Sequence, residues 1–138
     1  MAYTKCVLTR ASNVIRIPDE IFNQVNPEGK NAVIVLPVKL KKFTVFFTDA
    51  DKTLYIRLNI NKNRLIEEFF MGLQNALENN KLHSLFNTGI CLENNNCTWE
   101  GVFEYYEDSR EIEKIKEAFL KIKTVESVET KLMTVSEG

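Results

Sequence analysis

The sequence predicts an α+β fold in which two helices cover one face of an antiparallel sheet. Three observations predict it: a strand with period-two alternation, two amphipathic helix patterns, and the element order βαββαβ over about 53–135. Each helix has one apolar face to bury, and a four-stranded sheet has one face to offer. Right-handed crossovers then place the first and third strands side by side in the middle of the sheet.

The four strands differ in how clearly they are marked. In the first, apolar residues occupy every second position from Leu54 to Ile60, as in a half-buried strand. The second (84–93) and third (97–107) are joined by an asparagine-rich turn, and the fourth covers 125–135. We expect the face away from the helices to be open, and to be covered by a second copy or an extra segment. That face carries Tyr55, Arg57 and Asn59.

Both helices show an apolar stripe at spacings of three and four residues. Asn61 or Asn63 can cap the first helix, which ends at Asn79. Ser109 is predicted to cap the second helix, whose first turn is acidic, where the helix dipole favours carboxylates. The order of elements is ferredoxin-like.

Over 53–135 the chain resembles the ACT and RAM domains, small-molecule sensing modules with the same element order and similar length. In ACT domains an amino acid binds where the first strand turns into the first helix. The resemblance therefore implies a ligand site at Asn59, Asn61 and Asn63. The loop has no glycine, although such loops often carry one, and helix capping by these asparagines is the alternative.

The first 48 residues form a separate β-rich segment in this interpretation, followed by a ferredoxin-like domain over 49–138. A short strand over 14–17 leads into Pro18, which is well placed at the first position of a helix ending near Val25. Strands follow over 32–36 and 43–48, and residues 49–52 are expected to make a hairpin turn into the next strand.

This segment also resembles a second family, the AbrB or SpoVT swapped-hairpin DNA-binding domains, over about 5–35. The resemblance rests on VIRIPDEI at 14–21, PEGK at 27–30 and the strand after them. Basic residues on the strand before the proline contact DNA in that family. The resemblance thus implies DNA contacts by Lys5, Arg10 and Arg16, and a dimer. The alternative is a strand, helix and hairpin that extend the main sheet.

Composition narrows the class of protein. The chain has 138 residues, 44% hydrophobic and 27% charged, which is typical of a globular protein. A net charge of -1 argues against a nucleic-acid binder that works by charge alone. No apolar run reaches the roughly 18 residues of a membrane span, and residues 1–10 lack a secretory signal pattern. We therefore expect a cytoplasmic protein without a membrane partner.

The three cysteines and the single histidine do not indicate a metal or catalytic site. Cys6, Cys91 and Cys97 are expected to be reduced in a cytoplasmic protein, although Cys91 and Cys97 could approach each other across a hairpin. A zinc site would need a fourth ligand beside Cys91, Cys97 and His83. His83 follows the first helix, where interaction with terminal carbonyls is the expected role. No cofactor is predicted.

The remaining candidates for chemistry are also weak. There is no nucleophile motif and no phosphate-binding glycine loop. The acidic run over 104–113 reads as a solvated helix start rather than an acid/base pair. An aromatic platform on the open face would be surrounded by glutamates, which repel phosphate, and is interpreted as core or as a protein-binding face. Its members would be Phe46, Phe47, Trp99, Tyr105 and Tyr106.

These observations predict a non-enzymatic regulatory or interaction module that forms a homodimer or larger assembly. Small-ligand sensing and transcriptional regulation through DNA contact follow from the two resemblances. Two alternatives stay open: a structural subunit that docks its open sheet face on another protein, and an enzyme whose site is assembled from dispersed residues.

Overall fold

The computed structural model describes residues 8–25, 29, 31–36, 41–61, 66–91 and 96–135. The chain divides into two compact units, 1–49 and 50–138. Lys5, Cys6 and Asn63 lie outside the described residues, as does the loop between the second and third predicted strands of the main unit.

The first unit contains one short helix and one strand pair. Helix α1 covers Asp19–Val25, and strands β1 (Asn31–Val35) and β2 (Thr44–Thr48) pair in antiparallel fashion. The Phe22 and Phe47 rings meet edge to face with 5.4 Å between their centroids, which packs the helix on the strand pair. The predicted helix and both predicted strands are therefore confirmed.

The predicted strand over 14–17 is wrong. Residues 8–18 form neither helix nor strand, and Val14, Ile15 and Ile17 are exposed. Ser12 explains the difference, because its hydroxyl donates to the Val14 carbonyl and accepts from the Val14 N–H. Such a side-chain turn competes with strand pairing for the same backbone groups.

The predicted hairpin from β2 into the next strand is also wrong. Strand β3 (Lys52–Asn61) pairs with two other strands, one on each edge, so it has no free edge for β2. Strand β2 pairs with β1 in a separate two-stranded sheet. The 49–52 segment thus links two sheets rather than two neighbouring strands.

The second unit has the predicted ferredoxin-like α+β fold. After β3 come α2 (Ile66–Asn79), β4 (His83–Cys91), β5 (Asn96–Tyr105), α3 (Ile112–Leu120) and β6 (Val125–Thr134). The strands lie in the order β4-β5-β3-β6 and every neighbouring pair is antiparallel. The first and third strands of the unit are therefore central, as the crossover rule predicts.

One core fills the space between the sheet and both helices. Leu54, Ile56 and Leu58 of β3 are fully buried, as the alternation of β3 predicts. The rest of the cluster comes from the helices and the neighbouring strands, namely Phe69, Leu73, Ala76, Trp99, Phe103, Ile115, Phe119 and Val125. Both helices thus pack on the same sheet face, which the sequence predicted.

Helix α2 comes close to the segment after α3 at Gly72. A Cβ atom there would lie 2.9 Å from a methyl carbon of Ile122, closer than real side chains allow. The glycine lets α2 pass next to the chain that follows α3. This close approach forms the floor of a groove along the outer side of the helix pair.

The residues at the end of α2 and before the start of α3 line part of that groove. Helix α2 ends in a Schellman motif, in which the Leu82 N–H donates to the Leu77 carbonyl and the Lys81 N–H to the Glu78 carbonyl. Lys81 has φ 52°, the left-handed conformation the motif requires. Helix α3 has Glu111 at its N-cap without a side-chain bond, so the predicted cap at Ser109 is wrong. The Ser109 hydroxyl instead accepts from the Tyr106 N–H at 2.9 Å.

Cys91 and Cys97 form a disulfide, which contradicts the expectation that they are reduced. They are directly opposite residues on β4 and β5, and their Cα atoms are 4.0 Å apart. The strand register therefore places the two thiols together, whatever compartment the protein occupies. None of the helices that the structure describes is both long and apolar enough to cross a membrane.

A single substitution at Thr124 is expected to raise the free energy of unfolding. Its side chain is 1% exposed, and its hydroxyl has no hydrogen-bond partner among the described residues. An unsatisfied buried hydroxyl costs about 1–3 kcal/mol. Thr124→Val keeps the shape and removes the polar group, so we expect urea denaturation to give a free energy of unfolding about 1 kcal/mol higher. A loss of stability would mean that the hydroxyl is satisfied in solution.

Candidate interaction site

Two of the three residues in the predicted ligand loop lie in a strand, and the third, Asn63, lies outside the described residues. Asn59 and Asn61 lie inside β3, because pairing with β5 continues to Asn61. The Asn59 amide donates to the Ser127 hydroxyl at 2.6 Å and accepts from Thr98 at 3.5 Å. The Asn61 N–H donates to the Thr124 carbonyl at 2.8 Å. The Asn59 side chain is thus committed to cross-strand bonds. The ligand role implied for these asparagines stays a prediction.

Arg10 and Arg16, two of the three residues predicted to contact DNA, do not lie on a strand. Arg10 and Arg16 are exposed and lie in the irregular 8–18 segment of the first unit. The family resemblance required a strand before Pro18, and that strand is missing. DNA contact by these residues therefore stays a prediction without the scaffold that suggested it.

The five aromatic residues do not share one open face, and the interpretation as core is confirmed for Trp99. Trp99 is 3% exposed on the helix-covered face, with its ring centroid 6.0 Å from that of Phe103. Tyr105 packs against the same core, and Tyr106 lies beyond the end of β5. Phe46 and Phe47 belong to the separate strand pair of the first unit.

The sheet face away from the helices is polar and internally paired. The Tyr55 hydroxyl donates to a Glu100 carboxylate oxygen at 2.8 Å. Burial, together with that hydrogen bond to a negative group, raises the pKa of Tyr55 to about 12. Arg57 sits directly between Glu100 on β5 and Glu129 on β6. Because opposite charges already alternate across the strands, this face has little unsatisfied charge to offer a partner.

A groove on the outer side of the helix pair is a better candidate. Three cavities of about 410, 370 and 330 Å³ follow one another there, and neighbouring cavities share residues. Asn79, Asn80 and Arg110 line the first two, and Gly72 and Ile122 line the last two. We call this continuous feature the helix groove.

The helix groove is basic. Its charged lining consists of four basic side chains and two acidic ones, with His83 at one end. The basic residues are Lys81, Arg110, Lys121 and Lys123, and the acidic ones are Glu68 and Asp108. All four basic side chains are exposed, and none forms an ion pair with a carboxylate in the described part of the chain. The floor between them is apolar and small-sided, with Gly72, Ala76, Ala118 and Ile122.

Arg110 is held in place at one end of the groove. One guanidinium nitrogen donates to the Asn80 side-chain oxygen at 3.1 Å, and the Asn80 amide donates to the Ala76 carbonyl at 2.7 Å. Asn80 is only 5% exposed, so its end of this linkage is buried, whereas Arg110 itself is exposed. The Tyr105 hydroxyl donates to the Arg110 carbonyl at 3.0 Å and fixes its backbone as well.

His83 follows α2, as the sequence predicts. It is the first residue of β4, it is exposed, and it lines the cavity that also contains Arg110. Asp108 is the one carboxylate lining that cavity among the described residues, so no acid/base pair of carboxylates is assembled there. Within the same described ranges, no group of three or more metal-ligating side chains comes together.

The helix groove was missed at the level of sequence because its residues are far apart in the chain. Lys81 follows α2, Arg110 precedes α3, and Lys121 and Lys123 follow it. Each lysine or arginine alone is typical of a solvated surface. The one local signal is Gly72, an isolated glycine inside a helical pattern, which suggests a close approach to another element.

Comparison with known proteins finds only distant structural likeness. No protein-family model matches the chain, and no curated protein matches it in sequence. Among solved structures, the P2 domain of the chemotaxis kinase CheA from Thermotoga maritima, in complex with the response regulator CheY, is 20% identical with a TM-score of 0.44. That match covers 59% of this chain and 98% of the other.

Two further structures show the same level of likeness. The C-terminal domain of the MgtC protein from Mycobacterium tuberculosis is 8% identical with a TM-score of 0.49, covering 64% of this chain and 95% of that one. GqqA, described as a quorum quenching acylase, is 14% identical with a TM-score of 0.49, covering 91% and 69%. Similarity this low carries no argument about function, and the ferredoxin-like fold rests on the strand order described above.

Proposed function

We propose that this protein is a non-enzymatic interaction module whose helix groove binds an acidic segment of a partner protein. The observation that carries the proposal is that four basic side chains lie in one groove of a chain whose net charge is -1. None of the four forms an ion pair with a carboxylate among the described residues. Acidic groups elsewhere balance this charge overall but not locally. A segment with negative side chains complements it.

The dimensions of the groove favour an extended peptide. Along α2 the lining runs from Glu68 to Asn79, and eleven residues of helix rise about 16 Å. An extended chain advances about 3.3 Å per residue, so about five residues fit. Basic groups stand at both ends, and the small apolar residues between them leave room for a side chain. The two flanking carboxylates, Glu68 and Asp108, discourage a longer acidic run.

Nucleic acid is the less favoured occupant. Phosphate contacts dominate nucleic-acid affinity, and four basic residues offset by two acidic ones provide few of them. The apolar floor offers nothing to a sugar–phosphate backbone. The groove also lacks an aromatic side chain beyond Tyr106 among the residues that line it, so base stacking is poorly served.

The test is a binding titration followed by fluorescence anisotropy. We expect a labelled five-residue glutamate-rich peptide to bind the full chain more tightly than a lysine-rich one, with affinity falling as salt increases. Exposed ion pairs contribute about 0.2–1 kcal/mol each, so the variant Lys121→Glu with Lys123→Glu should bind about tenfold more weakly. Lys131→Glu is the matched control, since Lys131 is exposed on β6 and away from the groove.

Two outcomes would overturn the proposal. One is equal weakening by the groove variant and by the Lys131 control, which would indicate a general charge effect. The other is tighter binding of a short duplex DNA than of the acidic peptide, lost on Arg16→Ala, which would favour the DNA contact implied by Lys5, Arg10 and Arg16.

The remaining expectations are compatible with this role and stay predictions. We also propose that residues 1–48 and 49–138 act as separate domains. Three further expectations also stay predictions: self-association through the open sheet face, a cytoplasmic location, and ligand sensing near Asn59, Asn61 and Asn63. The cross-strand pairing of charges on the sheet face makes it the weaker docking surface of the two.

A further inference from the structure

The end of the helix groove near β4 differs from the rest in the number of donors it gathers. The largest of the three cavities, about 410 Å³, is lined there by Lys81, His83, Tyr106, Ser109 and Arg110, with Asn79, Asn80 and the carboxylate of Asp108. The Tyr106 hydroxyl donates to a Glu104 carboxylate oxygen at 3.0 Å, so the side chains of Lys81, His83, Ser109 and Arg110 are the donors considered for an anion. The other two cavities also have two basic residues each, but they have no histidine and fewer hydroxyls.

Arg110 is preorganised for such a ligand. Its guanidinium is oriented by a buried side chain, Asn80, and its backbone by the Tyr105 hydroxyl. Asn80 is a neutral acceptor, so it fixes the arginine without neutralising its charge. A guanidinium has five N–H donors, and the structure shows one of them used by Asn80. The others remain available in a forked geometry that suits oxyanions.

We propose that this cavity binds a phosphate monoester carried by the acidic segment, which makes the protein a reader of a phosphorylated side chain. The inference rests on the proposed function and names the anchor of the docked segment. A phosphorylated side chain has close to two negative charges and three acceptor oxygens, which matches one arginine, one lysine and the Ser109 hydroxyl. A carboxylate has one charge and two oxygens and would leave part of this donor set unused.

Asp108 does not reverse the same choice. Its carboxylate lines the cavity and forms no ion pair with a described residue, so it opposes any anion that enters. A dianion meets about twice the repulsion that a singly charged carboxylate meets, and it gains about twice the attraction from Lys81 and from Arg110. Because the two cations outnumber the one carboxylate, the net attraction favours the dianion. The remaining part of the segment would then extend along the groove toward Lys121 and Lys123.

The experiment compares three probes by NMR on the uniformly ¹⁵N-labelled full chain: inorganic phosphate, acetate, and peptide pairs that differ by phosphoserine or glutamate at one end. We expect phosphate, but not acetate, to shift the backbone signals of Lys81, Ser109 and Arg110. The phosphoserine peptide should bind about tenfold more tightly than its glutamate counterpart. Arg110→Gln should abolish that preference, whereas Arg57→Gln on the opposite sheet face should keep it.

The role of Asn80 as a positioning residue has its own readout. Asn80→Ala should weaken phosphate binding, but it should have no further effect when combined with Arg110→Gln, because Asn80 acts through that arginine. If Asn80 had a purely structural role, Asn80→Ala would also weaken peptide binding at the end of the groove that contains Lys121 and Lys123. Binding of the unphosphorylated glutamate peptide, which depends on Lys121 and Lys123, separates the two.

The outcomes distinguish this inference from the proposed function. Equal affinity for phosphoserine and glutamate peptides, with both weakened by Lys121→Glu, overturns the phosphate site and keeps the acidic-segment groove. Binding of inorganic phosphate at Arg110 without binding of either peptide supports the anion site and overturns the docking role. Equal shifts with phosphate and acetate overturn the inference.

Discussion

Replacing Phe103 by alanine is expected to lower the free energy of unfolding by about 4 kcal/mol. Phe103 is fully buried on the helix-covered face of β5, in the cluster that joins the sheet to both helices. Its loss removes the transfer free energy of the ring and leaves a cavity against Trp99, whose centroid is 6.0 Å away. Urea denaturation followed by far-ultraviolet circular dichroism measures the change, since Trp99 fluorescence would respond to the substitution directly.

Gly101 provides a specific control for this prediction. A Cβ atom at Gly101 would lie 2.7 Å from ring atoms of both Trp99 and Phe103, so the two rings close over the bare backbone. Gly101→Ala should therefore cost about 1–3 kcal/mol by overpacking. In the Phe103→Ala background the cost should be smaller, because half of the clash is gone. Additive effects, or a loss below about 1 kcal/mol for Phe103→Ala, would show that the ring is not packed in this way.

The fold could be predicted because its signals are local and repeated. The alternation of β3 and the two amphipathic stripes decide which faces are buried, and burying them together leaves few topologies. The errors occurred where one side chain changed a local preference. Ser12 bends the backbone that Val14, Ile15 and Ile17 would otherwise extend, and Ser109 bonds inside a turn instead of capping α3.

The candidate site could not be predicted for a different reason. Lys81, Arg110, Lys121 and Lys123 come from three separate connections and meet only when the helices pack. The preorganisation of Arg110 depends on Asn80, thirty residues earlier in the chain. No spacing rule links such a pair, whereas the Cys91–Cys97 pair was within reach of sequence reasoning, because a hairpin of known register brings them together.

Reduction of that disulfide is the second large effect we expect. The bond closes a loop with a sequence separation of six, and the chain-entropy relation gives about 2 kcal/mol of stabilisation for a loop of this size. The loss should appear as a lower urea midpoint, because the native contacts stay the same while the denatured chain gains conformational freedom. Measurements with and without dithiothreitol, in a Cys6→Ser background that prevents thiol exchange, give the difference.

The matched control is the double variant Cys91→Ala and Cys97→Ala. It should have the stability of the reduced protein, and dithiothreitol should have no effect on it. Cys91 is exposed and Cys97 is 8% exposed, so a reductant reaches the bond from the Cys91 side. Mass spectrometry after alkylation counts free thiols before and after reduction. If the Cys91 and Cys97 thiols are already free in the protein before dithiothreitol is added, β4 and β5 are joined by backbone pairing alone.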